Sequence, residues 1–238
     1  MRTRLQWLSA GLMAMTLFVT AAVSADGGWK QWKTENGIVG YERPVPGSKY
    51  IETKAETEID APMEVLLEVL MDIPNFSKWM HDCKAAVLLE KENDFHRVLY
   101  FNQNVPVIGQ SDRWAVIDSS TTYDHAAGSC TTVLESIDRP YQRPDGKGIR
   151  MNRYTGTFEL KMLSRDKTWV RYTAFSDPGG FAPAFVAKAT LRKVTFNGVQ
   201  NWARMAKDPH YIQAAQAGVA KPIIDQAIAG GIHKLSKK

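Results

Sequence analysis

The sequence predicts an α+β protein in which a curved antiparallel sheet is followed by a long C-terminal helix. Three observations carry this: a strict two-residue alternation over residues 50–59, a run of strand-like segments between residues 85 and 176, and helical periodicity from Pro183 to about Ala206. The chain has 238 residues, 44% of them apolar and 10% aromatic, which is enough to build a core and argues against disorder. At about 100–200 residues per domain, one large domain is expected.

The N-terminus comes first. Arg2 and Arg4 precede a mostly apolar stretch from Trp7 to Val23, and Val23-Ser24-Ala25 reads as a small-residue cleavage site. This is the pattern of a secretory signal peptide, and it predicts an exported protein, periplasmic or secreted, that begins at Asp26. Losing Arg2 and Arg4 lowers the formal net charge from +5 to +3. That balance is too weak to argue for nucleic acid, which would require a concentrated basic stripe. Residues 26–207 then form the expected domain and residues 208–238 a helical extension.

After an opening that bears Trp29 and Trp32, residues 37–42 and 50–59 read as strands joined around Pro44, Pro46 and Gly47. In the second strand Ile51, Thr53, Ala55, Thr57 and Ile59 face one way, while Glu52, Lys54, Glu56 and Glu58 form a charged, wet face. Asp60 looks like the N-cap of a helix running to about Met71, which Pro74 breaks before a second short helix over Phe76–Met80. Strands follow at about 85–91, 95–102, 113–121, 130–138, 150–163 and 168–176, divided by turns such as Asn93-Asp94, Gly128-Ser129 and Asp145-Gly146. Between residues 152 and 162, Tyr154, Phe158, Leu160 and Met162 share the apolar face, with Gly156 a bending point.

The helix from Pro183 carries a polar arc of Thr190, Lys193, Asn197, Gln200, Asn201 and Arg204. Phe185, Ala189, Phe196, Val199 and Ala203 cluster on one flank, with Leu191, Val194, Trp202 and Met205 on another. The apolar arc is wider than the roughly 100° stripe of an ordinary surface helix, so contact with a sheet, a cavity and another helix is expected. Beyond Asp208-Pro209, residues Ile223, Ile224, Ala227, Ile228, Ile232 and Leu235 recur at helical spacing. They predict a terminal helix that packs on the core, a membrane-touching tail being the lesser alternative.

Catalytic signatures of the GxSxG, HExxH, P-loop or GxGxxG kind do not occur, and no metal or cofactor is expected. His81-Asp82-Cys83 reads as a turn into a strand, because adjacent strand residues point to opposite faces and do not share a ligand. Cys83 and Cys130 lie in segments with no sign of adjacency and are expected to be free thiols rather than a disulfide.

Several segments in order along the chain resemble the START (steroidogenic acute regulatory protein-related lipid-transfer) domain family. Asp177-Pro178-Gly179-Gly180-Phe181-Ala182-Pro183, leading into a long amphipathic helix, resembles the turn into that family's last helix. Gly37 to Arg43, Asp60-Ala61-Pro62 with Asp72 and Trp79, and Val105-Pro106-Val107 followed by Ser111-Asp112-Arg113 are similar in character to earlier family segments, and the resemblance spans roughly residues 29–206. It implies a helix-grip fold, a sheet wrapped around the C-terminal helix, with an apolar cavity for one lipid or sterol gated by that helix and the Asp177–Phe181 turn. In sterol-binding relatives an acid and an arginine orient the ligand. The corresponding positions here hold Leu99 and Ser119, a departure from that pattern.

The function expected is binding, with transfer, of a lipid or other hydrophobic small molecule, together with transient membrane contact. The inner-face candidates are Tyr154, Phe158, Leu160, Phe185, Phe196 and Val199, with Arg97 and Arg192 as polar anchors. Two alternatives stay open on the sequence: a cyclase- or hydrolase-like enzyme on an apolar substrate in the same fold, and a lipid-sensing adapter.

Overall fold

A computed structural model describes residues 27–105, 108–109, 111–143 and 146–232. The signal-peptide reading, Pro106-Val107, Asp145 and the residues from His233 onward lie outside them.

The strands are β1 (Lys30–Glu35), β2 (Ile38–Pro44), β3 (Ile51–Ile59), β4 (Cys83–Lys91), β5 (His96–Gln103), β6 (Arg113–Asp124), β7 (Ser129–Ser136), β8 (Ile149–Arg150), β9 (Arg153–Ser164) and β10 (Lys167–Asp177). They form one sheet in the order β1-β2-β3-β10-β9-β7-β6-β5-β4, antiparallel throughout, with β8 alone pairing parallel to β6. Helix α1 (Met63–Met71) and a 3-10 turn (Ile73–Lys78) occupy the crossover from β3 to β4, and α2 (Ala184–Met205) runs over β2, β3 and β10 to touch α1. The alternation in β9 explains why the sheet closes on the helices: Tyr154, Phe158, Leu160 and Met162 are all buried on its inner face. Helices α3 (Pro209–Ala215) and α4 (Lys221–Ala229) then pack on the outer side of α1.

At the centre, Trp202 of α2 is fully buried and donates from Nε1 to the Leu66 carbonyl of α1 at 3.0 Å. It stacks on Trp79, at 6.3 Å between centroids, and meets the edge of Phe158 at 5.4 Å. Part of the polar arc of α2 is absorbed by neighbours. Asn201 Nδ2 donates to the Trp79 carbonyl at 2.8 Å, and Asn197 Nδ2 lies 3.3 Å from His81 Nε2.

Several local expectations are corrected. The opening segment with Trp32 is a strand, β1, whose single large apolar residue leaves no alternation to read. Asp60 does not cap α1. It pairs with Lys167 at 3.4 Å, and Pro62, held extended at ψ 145°, stands at the helix boundary instead. Pro74 opens the 3-10 turn rather than ending a helix, since a first-turn proline forfeits no hydrogen bond. The segment read as one strand from Arg150 is two, because Ile149–Arg150 pair with β6 before β9 begins at Arg153. Gly156 keeps regular pairing with both neighbours. A Cβ there would meet the Tyr154 hydroxyl at 3.0 Å, so the glycine makes room for a side chain rather than a bend. Lys54, expected on the wet face of β3, is buried with its ammonium 4.7 Å from the Trp29 ring and 4.7 Å from the Tyr41 ring.

The terminal segment makes two helices rather than one. Asp208 accepts the His210 N–H to cap α3, and Ile224 and Ala227 bury the inner side of α4. His81-Asp82 is a turn into β4, with Asp82 at φ +59°. Cys83 and Cys130 are separate, buried thiols, both pushed up to about 12 by burial.

Candidate ligand-binding site

Inside the grip, alternate residues of each strand form ladders that run from the gate end to the α1 end. On β5 the inner series is Gln103, Phe101, Leu99 and Arg97; on β6 it is Arg113, Ala115, Ile117, Ser119 and Thr121. Two apolar cavities lie along these ladders. The first, of about 40 Å³, opens at the gate turn and is lined by Gln103, Val105, Arg113, Pro178, Ala182, Val186 and Leu191. The second, of about 20 Å³, lies under α1 among Leu67, Leu70, Phe76, Arg97, Leu99, Ser119, Thr132 and Phe158.

An aromatic layer sits between them. The Tyr154 and Tyr172 hydroxyls share a hydrogen bond of 2.7 Å, Phe101 stacks on Tyr154 at 6.0 Å, and Phe158 lies on Tyr172 at 4.1 Å with the rings 9° apart. Burial pushes the Tyr154 hydroxyl up to about 12 and raises that of Tyr172, so both are neutral donors or acceptors. Each cavity has room for about one water, whereas small-molecule pockets run to about 300–1,000 Å³. The single cavity implied by the family resemblance is therefore divided and nearly filled. A ligand of that size would fit only if the aromatic layer and the first turns of α2 moved.

The Asp177–Phe181 turn, expected from the resemblance to be a gate, is tied down at several points. Asp177 Oδ1 accepts the Gly179 N–H at 3.1 Å and the Asn152 amide at 3.3 Å. Gly179 and Gly180 stand at φ +65° and +55°, and a Cβ on Gly179 would come within 2.4 Å of the Arg150 carbonyl. Arg113 donates to the Ser111 carbonyl and, at 3.2 Å, to the Phe181 carbonyl, which links the β5–β6 loop to the gate. On the other side Glu42 of β2 clasps α2 through Lys188 (2.9 Å) and Arg192 (2.6 Å). Burial works to raise the Glu42 carboxyl, but the hydrogen bonds from these two cations outweigh it and hold the group below its usual range.

The structure places Arg97 and Phe158 on the inner cavity, Tyr154 in the aromatic layer and Pro178 on the gate cavity. Leu160 and Val199 are buried but line neither space. Three placements are corrected. Phe196 points to the β1–β2 edge, where it packs on Trp32 at 5.7 Å under the Lys33 ammonium, not toward a cavity. Phe185 is 75% exposed, because it lies in the first turn of α2, where only a flank residue deeper along the helix is covered. Arg192 is spent on Glu42 and lies over the Trp32 ring at 4.9 Å, so it is a clasp rather than an anchor.

Sequence reasoning missed Gln103 and Leu191 at the gate and Leu67, Leu70 and Phe76 on α1 and the 3-10 turn. Arg113, which in the sequence stands out only within Ser111-Asp112-Arg113, is placed on the inner face by the alternation of β6. Leu99 and Ser119, the positions where the family resemblance leads one to expect an acid and an arginine, both line the inner cavity. Among the described residues no cluster of three metal-ligating side chains occurs, and no helix is long and apolar enough to cross a membrane.

Comparison with known proteins agrees with this geometry. The START domain family model matches residues 11–209. An uncharacterized protein of Pseudomonas aeruginosa is 28% identical over 194 residues, which is 79% of this chain and 93% of that protein. Among solved structures, a STAR-related lipid transfer protein from Xanthomonas axonopodis is 26% identical, covers 76% of this chain and 99% of that chain, and superposes with a TM-score of 0.68. Human STARD10, at 18% identity, has the same fold with a TM-score of 0.70, covering 85% of this chain and 83% of that chain.

Proposed function

Because the chain belongs to the START domain family, we propose that it takes up a lipid or other hydrophobic molecule through the gate turn, holds it inside the grip and transfers it. The observation that carries this is the gate cavity itself, an apolar mouth of Val105, Pro178, Ala182, Val186 and Leu191 that stands at the end of two polar inner residues, Gln103 and Arg113. A carrier rather than an enzyme is the better reading, because the tyrosine hydroxyls along the path are bonded to each other and held neutral. Uptake of the uncharged fluorophore N-phenyl-1-naphthylamine tests it. The expected result is saturable binding with blue-shifted emission, and a protein that stays folded yet leaves the dye in water would contradict the proposal.

Cargo is exchanged, in this reading, by direct contact with a lipid surface. Phe181 is 80% exposed and Phe185 75% exposed, and each is next in the chain to a gate-cavity residue, Ala182 and Val186. Large apolar side chains held in water next to a cavity mouth mark a surface that meets something apolar. Replacing Phe181 and Phe185 together with aspartate should weaken binding to phosphatidylcholine–phosphatidylglycerol vesicles by about tenfold or more, given roughly 1.5–3 kcal/mol for burying each ring. Sedimentation with vesicles reads this directly. Unchanged binding would remove the gate end from the membrane-contacting surface.

A further inference from the structure

The inner cavity has a second boundary, at the end opposite the gate. Met71, Asp94 and Arg97 line both that cavity and an outer groove of about 550 Å³, so one seam of side chains separates the two spaces. The groove is roofed by His210, Tyr211 and Ala214 of α3 and by Ala217, Gly218 and Val219 of the following turn. The family model's match ends at residue 209, so this roof belongs to the segment beyond it. Tyr211 fastens the roof to α1 by donating its hydroxyl to Asp72 at 2.9 Å, and Gly218 sits so close that a Cβ there would fall 1.9 Å from Glu68 Oε1.

Two polar atoms at this seam are buried without a hydrogen-bond partner: Arg97 Nε and Glu68 Oε1. Arg97 spends Nη1 on the Met71 carbonyl at 2.5 Å. A buried donor left unpaired is costly, and an acceptor brought by a ligand would relieve it. The ladder beyond continues with Ser119, Thr121 and Thr132, while Leu67, Leu70, Ile73, Phe76, Leu99 and Phe158 supply apolar surface for a chain. The charge around Arg97 selects the kind of acceptor. Glu68, Asp72 and Asp94 all stand on the groove with it, so a fourth carboxylate would meet three others.

We propose that this seam is a second ligand subsite and opening, where the uncharged hydroxyl at the end of a single-chain amphiphile accepts from Arg97 Nε and donates to Glu68 Oε1 beneath the α3–α4 roof. The chain of that amphiphile occupies the inner cavity once the aromatic layer parts, since the closed cavity of about 20 Å³ has no room for it. This rests on the hydrophobic-carrier reading and narrows its cargo.

The test uses the full chain loaded with N-phenyl-1-naphthylamine and displaced by 1-dodecanol, dodecane or dodecanoate. In the wild type, dodecanol should displace the dye more effectively than either of the others. The dodecanol-to-dodecane preference, measured within each protein, should fall about tenfold in Arg97→Met, the effect of losing one hydrogen bond to a charged group. Arg97→Lys keeps the positive charge among the carboxylates but removes the Nε donor, and should show the same loss even if the methionine variant does not fold. Gly218→Leu, which must push the roof off Glu68, should speed dodecanol release several-fold. An alcohol preference that is absent, or equal in wild type and Arg97→Lys, overturns the subsite while leaving the carrier reading intact. Tighter binding of dodecanoate overturns the choice of an uncharged oxygen, and unchanged release from Gly218→Leu overturns the opening beneath the roof. Failure of the wild type to bind the dye at all overturns the carrier reading itself, and this subsite with it.

Discussion

Replacing Trp202 by alanine is expected to cost about 3–5 kcal/mol of folding stability, the range for truncating a large buried aromatic side chain. Trp202 joins several parts of the fold. Trp202 is fully buried, stacks on Trp79 from the crossover, meets Phe158 from β9, and donates to the Leu66 carbonyl of α1. The alanine variant therefore leaves a cavity where α1, α2 and the sheet converge, and it takes away a hydrogen bond of about 1 kcal/mol. Urea denaturation of wild type and variant reads the difference. A loss under about 1 kcal/mol would mean that α2 is not gripped as described. Trp202→Phe, which keeps most of the ring but not the indole N–H, should recover the larger part of the loss.

The second large effect is at Phe196. If this residue faced a ligand cavity, enlarging it to tryptophan would fill the cavity and leave the stability of the protein nearly unchanged. The structure predicts the opposite, a loss of about 1–3 kcal/mol from overpacking. Phe196 is 1% exposed against Trp32, and a methyl group placed on Gly40 would already lie 3.1 Å from its Cδ2, so a larger ring must displace its neighbours. Thermal or urea denaturation distinguishes the two. A variant with wild-type stability and impaired uptake of apolar dye would return Phe196 to the ligand path.

These residues also show how far the sequence could be read. The alternation in β9 was legible because one face of the strand is buried and the period is two, so Tyr154, Phe158, Leu160 and Met162 had to share a side, whereas in β3 the buried Lys54 breaks it. The width of the apolar arc on α2 likewise required covering on more than one flank, and Leu191, Val194, Phe196, Val199 and Trp202 are all buried. A helical wheel gives an angle, however, and not what stands opposite it. Phe185 and Phe196 share a flank, yet one lies in water and the other under Trp32, because β1 reaches only the latter.

The same limit separated the two candidate arginines. Arg192 is claimed by Glu42, 150 positions earlier in the chain, whereas Arg97 meets a carbonyl of α1 and keeps a donor at the cavity wall. Nothing local in either sequence context encodes that difference. The second boundary of the inner cavity was hidden for a similar reason, since it is built from α1, the β4–β5 turn and a terminal segment whose apolar residues read only as helix packing.

On the proposed carrier reading the grip opens to admit a hydrophobic molecule, although the two cavities along its inner ladders measure about 40 and 20 Å³ among the described residues. The most direct measurement is to incubate the protein with phospholipid vesicles, recover it free of them, and quantify what solvent extracts from it by mass spectrometry. The account predicts a saturating amount of about one lipid molecule per chain, the occupancy of a single continuous pocket formed when the aromatic layer parts. Recovery of folded protein carrying only trace lipid, no more than a non-binding control protein carries, would contradict it.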